Sequence, residues 1–303
     1  MKPLVSVIIP TYKRSDMLPK AINSVLSQSY KNIEVVVVDD NDPESEYRQI
    51  TEKKMACFFE DNRVKYVKHS KNRNGAAARN TGLRNCSGDY VCFLDDDDIF
   101  FQNKCEKQVD VLEKKKEYNA CCCDYKKNGE MIYLTPKDDY TEDILLLNKT
   151  PQTSGIMFRR DPVEKIGGFD ESYIRHQDYE LLLRFFHSGN KICKINESLY
   201  ERFSSEISNT PKGDSFLQVK KKFLSDFEEI ISEYDLRQKG FKNKVYSVHY
   251  ERVAKNYFKN RCFSMFFLYS VKSFYMNPGM FVHTMLCEIV FYIRILLRKL
   301  FIC

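Results

Sequence analysis

The sequence has 303 residues, 43% hydrophobic and 30% charged, a balance that excludes general disorder and suits one large domain or a domain with a sizeable appendage. The formal net charge of +6 is unevenly placed: from Pro211 onward 16 Lys/Arg stand against 8 Asp/Glu, so the tail carries +8 and the preceding body about −2. A basic tail on a near-neutral body points to an anionic partner, whether a membrane surface, a nucleic acid or an acidic polymer.

In chain order, Leu4 to Ile9 is a continuous apolar run closed by Pro10. It is too short for a secretory leader and reads as a first strand buried on both faces. Ser15 is placed to cap a helix that carries Ala21, Ile22, Val25 and Leu26 on one stripe. Ile33 to Val38 reads as a second buried strand, Val64 to Val67 as a weaker third, and Tyr90 to Leu94 as another. Between them Asn74 to Leu83 is Ala-rich and helical, and a Lys/Glu-rich helix follows over about 102–118. This alternation predicts right-handed βαβ units on a largely parallel sheet flanked by helices. Ile156 to Phe158 adds a strand, Gly167-Gly168-Phe169-Asp170 a turn, and Gln177 to His187 a helix that ends at Gly189. Past Pro211 the pattern is helical. The expected division is a catalytic domain over 1–208 and a basic helical region over 209–303. The 11 cysteines form no C-x-x-C pair, and Cys121, Cys122 and Cys123 are consecutive; free thiols in a reducing cytosol are the simplest reading.

Ligands of open α/β sheets bind at the carboxyl ends of the strands. There the sequence places Thr11-Tyr12, then Asp39-Asp40-Asn41, then Asp95-Asp96-Asp97-Asp98. A single acidic turn can be a helix cap or a solvated loop, and Asp39-Asp40 alone leaves that open. Four consecutive aspartates are harder to explain that way. Two carboxylates about 4 Å apart repel by about 1 kcal/mol in water and about 4 kcal/mol at an effective dielectric near 20. One of them can cap the next helix, but not all four, and a divalent cation removes the repulsion. Arg79, alone among small residues, offers a fork for phosphate or carboxylate. Asp178, in the first turn of its helix, is either a helix stabiliser or a general base.

Taken in order, Val5-Ser6-Val7-Ile8-Ile9-Pro10-Thr11-Tyr12, Val38-Asp39-Asp40, Asn74-Gly75 leading to Ala78-Arg79-Asn80, Phe93-Leu94 with the four aspartates, Gly167-Gly168-Phe169-Asp170-Glu171, and Gln177-Asp178-Tyr179 with Arg184 resemble the family-2 glycosyltransferases of the GT-A fold. The match covers roughly residues 3–205. The resemblance implies a Rossmann-like α/β fold with a mixed, mostly parallel sheet and a helical C-terminal extension. It implies donor-binding roles for Thr11, Tyr12, Asp39, Asp40, Arg79 and Asp96, with Thr11 and Asp40 near the uracil and ribose. Asp95 and Asp97 match the family's D-x-D and would order Mn²⁺ or Mg²⁺ and, through it, the donor diphosphate. Asp178 matches the general base. The chain departs from the family at Gln177, where Glu is common, and at Arg202-Phe203-Ser204-Ser205, where a histidine is missing.

The implied reaction is a single inverting displacement of a nucleoside diphosphate, donated by a nucleotide-sugar, with a glycan or lipid-linked hydroxyl as acceptor. Surface polysaccharide assembly is the family-level expectation. A sugar-phosphate nucleotidyltransferase and a non-catalytic membrane-bound scaffold are the alternatives. No nucleic-acid-binding motif stands out, and oligomerisation is left open. Between Met280 and Cys303, apolar residues such as Leu286, Ile289, Ile293 and Leu297 recur on one helical face, while Glu288 and Arg294 interrupt any spanning run. The expected enzyme is cytoplasmic and held peripherally on the inner face of the plasma membrane; the alternative for this helix is packing on the catalytic domain or on a partner subunit.

Overall fold

The computed structural model describes residues 2–203 and 210–283. The chain divides into two compact units, Met1–Thr141 with Lys149–Ser208, and Glu142–Asn148 with Asn209–Cys303. The elements in order are β1 (Val5–Thr11), α1 (Leu18–Leu26), β2 (Ile33–Asp39), α2 (Glu46–Met55), β3 (Val64–Lys68), α3 (Gly75–Asn85), β4 (Tyr90–Phe93), β5 (Ile99–Phe100), α4 (Lys104–Lys114), β6 (Ala120–Lys127) and β7 (Glu130–Ile132). There follow α5 (Thr141–Leu145), β8 (Met157–Arg159), α6 (Arg160–Lys165), α7 (Gln177–His187), β9 (Ile192–Arg202), α8 (Asp214–Asp226), α9 (Glu228–Arg237), α10 (Phe241–Lys259) and α11 (Phe263–Met276).

The first unit is built on one nine-stranded sheet in the order β3-β2-β1-β4-β8-β6-β9-β5, with β7 paired to β6. The strands β3, β2, β1 and β4 run parallel, as the apolar runs predict. Beyond them β8 lies antiparallel to both β4 and β6, β9 returns parallel to β6, and β5 pairs antiparallel with β9. The mixed, mostly parallel α/β sheet expected from the resemblance is therefore present.

Several elements escaped the sequence pattern. In β6, Cys121, Cys122 and Cys123 are buried side by side and act as small apolar core residues. β9 carries polar residues because Lys194 pairs with the buried Asp124 at 2.8 Å, next to a bulge in the β6–β9 register. α2 is polar and buries only Arg48, Thr51 and Met55. Ser15 does not cap α1: the helix starts at Leu18 with Met17 in the cap position and a proline in its first turn. The Ala-rich α3 lies very close to the sheet. Ala76, Ala77 and Ala78 are fully buried, and a Cβ on Gly82 would sit 2.2 Å from Cγ2 of Ile8 on β1.

The second unit is helical. Phe216, Leu217, Val253, Ala254, Tyr257 and Tyr269 form its core between α8, α10 and α11. At the α10–α11 crossing Ser247 donates to the Ser273 carbonyl at 2.9 Å and Ser273 to the Ser247 carbonyl at 2.8 Å, so two small residues let the backbones approach. Among the described residues no helix is long and apolar enough to cross a membrane. The amphipathic pattern expected up to Cys303 lies outside the described residues beyond His283, as does the loop at Ser204 and Ser205.

Candidate functional site

The carboxyl ends of β1, β2 and β4 bring the predicted residues to one rim, but not as equivalents. Asp39 is fully buried and saturated. It accepts from the Asn41 amide at 2.9 Å, from the Asn41 side chain at 2.8 Å and from the Tyr66 hydroxyl at 2.5 Å, and it pairs with Arg48 at 3.0 Å. Asp40 is also buried. Its carboxylate meets His69 at 2.7 Å, the Arg73 amide at 2.8 Å, the Asn72 side chain at 2.9 Å and the Asn74 amide at 3.0 Å. Neither presents a free oxygen to a nucleotide in this conformation. The Asp40 carboxylate ties down residues 72–74, the loop that launches α3. Asn74 completes that launch, since its Oδ1 accepts from the Ala76 and Ala77 amides while its φ is +82°.

Thr11 is likewise committed, donating to Asp96 at 2.7 Å. Tyr12, by contrast, is 36% exposed, and Lys13 Nζ lies 5.0 Å from its ring and 5.5 Å from that of Tyr47. That leaves an aromatic face at the rim for a base to stack on.

The four aspartates separate. Asp95 pairs with Arg79 at 2.6 Å and Asp97 with Arg14 at 2.7 Å, while Arg14 also lies 3.6 Å from Asp96. Asp98 turns inward to accept from Ser154 at 2.7 Å and the Phe203 amide at 3.2 Å. Burial raises the Asp96 carboxyl to about 7 against the pull of Arg14 and Thr11. Burial also raises Asp97, and it raises Asp98 well above the usual range with help from the Asp95 charge. Burial alone would lower the Arg14 guanidinium, but Asp96 and Asp97 overcome this and hold it charged. Arg14 was not singled out in the sequence. Its place three residues past Thr11, at the same strand end, was the available signal.

On the other side of Arg79, Nη1 donates to Gln177 Oε1 at 3.0 Å, and Gln177 donates to the Tyr173 carbonyl at 2.7 Å. Gln177 opens α7, which carries Asp178. Burial raises the Asp178 carboxyl, partly offset by Arg79 and reinforced by Asp95. The turn before α7 is tightly held. Asn80 donates to the Phe169 carbonyl and accepts from the Phe169 amide, both at 2.8 Å, and Arg184 donates to the Gly168 carbonyl at 2.6 Å. Gly168 has φ +69°, and a Cβ there would lie 2.5 Å from Asn80 Oδ1, so only glycine fits. Arg184 is therefore a clamp on this turn through Gly168, Ile166 and Glu180.

These residues surround a cavity of about 390 Å³ lined by Arg79, Asp95, Asp98, Ser154, Gln177, Asp178, Arg175 and Arg202 among others. Arg79, Asp95 and Asp178 thus meet in one space; Asp97, Asp96, Thr11 and Tyr12 sit along the rim outside it. Arg202 donates to Gln152 at 3.2 Å, and Asp98 and Asp95 hold it charged against burial. Among the described residues no three His, Cys, Asp or Glu side chains converge into a cage for a metal. Asp95 and Asp97 each keep one oxygen outside the ion pairs just given. That suits a cation of the magnesium or manganese type, which takes one or two carboxylates and completes its shell with water and phosphates.

Residues 6–182 match the profile of glycosyl transferase family 2. An uncharacterised glycosyltransferase of Haemophilus influenzae is 31% identical over 232 residues, spanning 71% of this chain and 76% of the relative. The amylovoran biosynthesis glycosyltransferase AmsB of Erwinia amylovora is 29% identical over 218 residues, spanning 66% and 71%. Among solved structures, S. aureus TarS 1–349 in complex with UDP-GlcNAc superposes with a TM-score of 0.62 at 17% identity, covering 91% of this chain and 92% of TarS, a likeness of fold. The profile covers more than half of the sequence, and the chain belongs to glycosyl transferase family 2 as a glycosyltransferase.

Proposed function

We propose that the enzyme transfers a sugar from a UDP-sugar to a hydroxyl of a glycan or lipid-linked acceptor, with inversion, in the assembly of a surface polysaccharide. One observation carries this reading: Asp178, Arg79 and Asp95 line a single cavity. The TarS complex with UDP-GlcNAc supports the choice of nucleotide, and AmsB, named for amylovoran biosynthesis, supports the choice of product. Residues 1–208 carry the chemistry, and the basic region 209–303 is held peripherally on the cytoplasmic face of the membrane.

Tyr12 and Asp96 face the nucleoside, with Thr11 bracing Asp96. Asp39 and Asp40 serve the donor end of β2, Asp40 by fixing the loop before α3 and Asp39 by anchoring Asn41 and Arg48. Asp178 removes the proton of the acceptor hydroxyl as it attacks the anomeric carbon. Arg79 sits where the leaving diphosphate gains charge. Asp95 and Asp97 are the ligands proposed for Mn²⁺ or Mg²⁺, which when bound neutralises that same charge.

The test is nucleotide release from a panel of sugar nucleotides, with Asp178→Asn as the variant. Turnover should fall about 10²–10⁴-fold while UDP affinity stays unchanged. Since a base must be ionised and burial raises this carboxyl, the acid limb of the rate profile should lie above the ordinary carboxylate range. A collapse of UDP affinity in Asp178→Asn would make Asp178 a donor ligand and not the base.

A further inference from the structure

The helix α11 turns only part of its surface inward. Tyr269 and Ser273 are buried against α10, with Met265 and Phe266 partly so. On the remaining arc Phe263, Phe267, Leu268, Val271, Phe274 and Tyr275 are exposed, Phe267 by 64%, Val271 by 65% and Tyr275 by 85%. At 100° per residue these six lie within one continuous arc of the helix. Phe258, at the end of α10 and 54% exposed, extends the patch, its ring 5.9 Å from that of Phe263. Contiguous exposed apolar surface of this kind marks an interaction site.

The charge around it selects the partner. From Arg252 to His283 the sequence contains Arg252, Lys255, Lys259, Arg261 and Lys272 and no Asp or Glu. The Glu251 side chain engages Lys255. Lys259 and Arg261 are exposed beside Phe258 and Phe263, and the exposed Lys272 borders the patch at the other end. A second copy would bring the same positive rim against this one. An anionic bilayer supplies what both features need, an apolar layer for the rings and phosphates for the cations at its edge. We propose that the exposed aromatic face of α11 docks on an anionic membrane surface, with the phenyl rings in the headgroup–acyl boundary. This rests on the reading of a membrane-peripheral enzyme above and assigns it to a surface other than the Met280–Cys303 segment.

The experiment is co-sedimentation of the full chain with phosphatidylcholine vesicles, with and without phosphatidylglycerol, at low and high salt. Binding should need phosphatidylglycerol and weaken with salt. The full-chain variant Phe267→Ser/Phe274→Ser should lose roughly tenfold or more in vesicle affinity, with thermal midpoint and UDP affinity unchanged because both rings are exposed. Arg261→Glu/Lys272→Glu should lose binding with every exposed ring of α11 still present. The proposal is overturned if both variants bind as the parent does while full-chain Ile289→Ser/Ile293→Ser does not; the membrane reading then survives on the terminal segment. If no form binds, both readings fail. A concentration-dependent dimer that Phe267→Ser/Phe274→Ser dissociates would assign the face to self-association and likewise overturn it.

Discussion

Two acidic turns flank β1, one at the end of β2 and one at the end of β4, and they do opposite things with their charge. Asp39 and Asp40 are matched oxygen for oxygen by Arg48, Tyr66, Asn41, His69 and the amides of the 72–74 loop. The cluster at Asp95–Asp98 is not. Arg14 and Arg79 pair with it and Arg202 lies near, while burial holds three of its carboxyls above their ordinary values, as it does that of Asp40. In the first turn Asp40 fastens the 72–74 loop before α3, and the second turn is the one proposed to meet a cation and diphosphate.

The largest effect that separates the two should be on stability. Asp39→Ala strands the buried Arg48 and should destabilise the first unit by about 3–5 kcal/mol, seen as a drop in the denaturant midpoint. If Asp39→Ala keeps its stability and instead loses UDP binding, the comparison breaks. Next comes Asp97→Ala. Its thermal midpoint should stay near that of the parent, while turnover falls about 10²–10³-fold and Mn²⁺-dependent UDP binding by calorimetry is lost. EDTA should do the same to the parent, with Mn²⁺ or Mg²⁺ restoring activity; full activity in chelator would remove the metal from Asp95 and Asp97.

The smallest effect sharpens the contrast. Asp96 is an acid whose folded-state pKa of about 7 lies above its unfolded value of 3.8. Below the unfolded value both states are protonated and the shift has no effect. As pH rises through the window between the two values, the folded state holds a proton that the unfolded state has lost, so stability declines, and it levels off above about 7. Asp96→Asn should therefore be more stable than the parent by on the order of 2 kcal/mol at pH 8, and by less at pH 5, in parallel thermal melts. A constant difference across that range would show that Asp96 is already ionised and satisfied.

The parallel half of the sheet was legible because β1, β2 and β4 are apolar runs with no other use. Of the remaining strands β8 was legible as the Ile156–Phe158 run, but β6 and β9 were not. β6 hides its pattern in three cysteines, and β9 mixes polar residues whose partners, such as Asp124 for Lys194, lie far away in sequence. The site shows the same limit. Residue type and order singled out Asp39, Asp40, Asp95, Asp97, Arg79 and Asp178, but the pairing of Asp39 with Arg48 and of Asp40 with His69 was not legible, because those partners come from separate elements. Arg14 went unnoticed because Lys13-Arg14 after a strand reads as an ordinary solvated turn.

The contact between Gly82 and Ile8 has a consequence for how relatives of this chain can vary. With 2.2 Å from the missing Cβ to Ile8 Cγ2, the depth at which α3 lies on β1 is set by the sum of two side chains. Arg79 sits one turn before Gly82 on that helix. A heavier residue at one of the two positions would lift Arg79 away from Asp95 and Gln177 unless the other became lighter. The two positions should therefore drift together between species, a coupled pair buried in the core whose reason for coupling is the reach of an arginine at the rim.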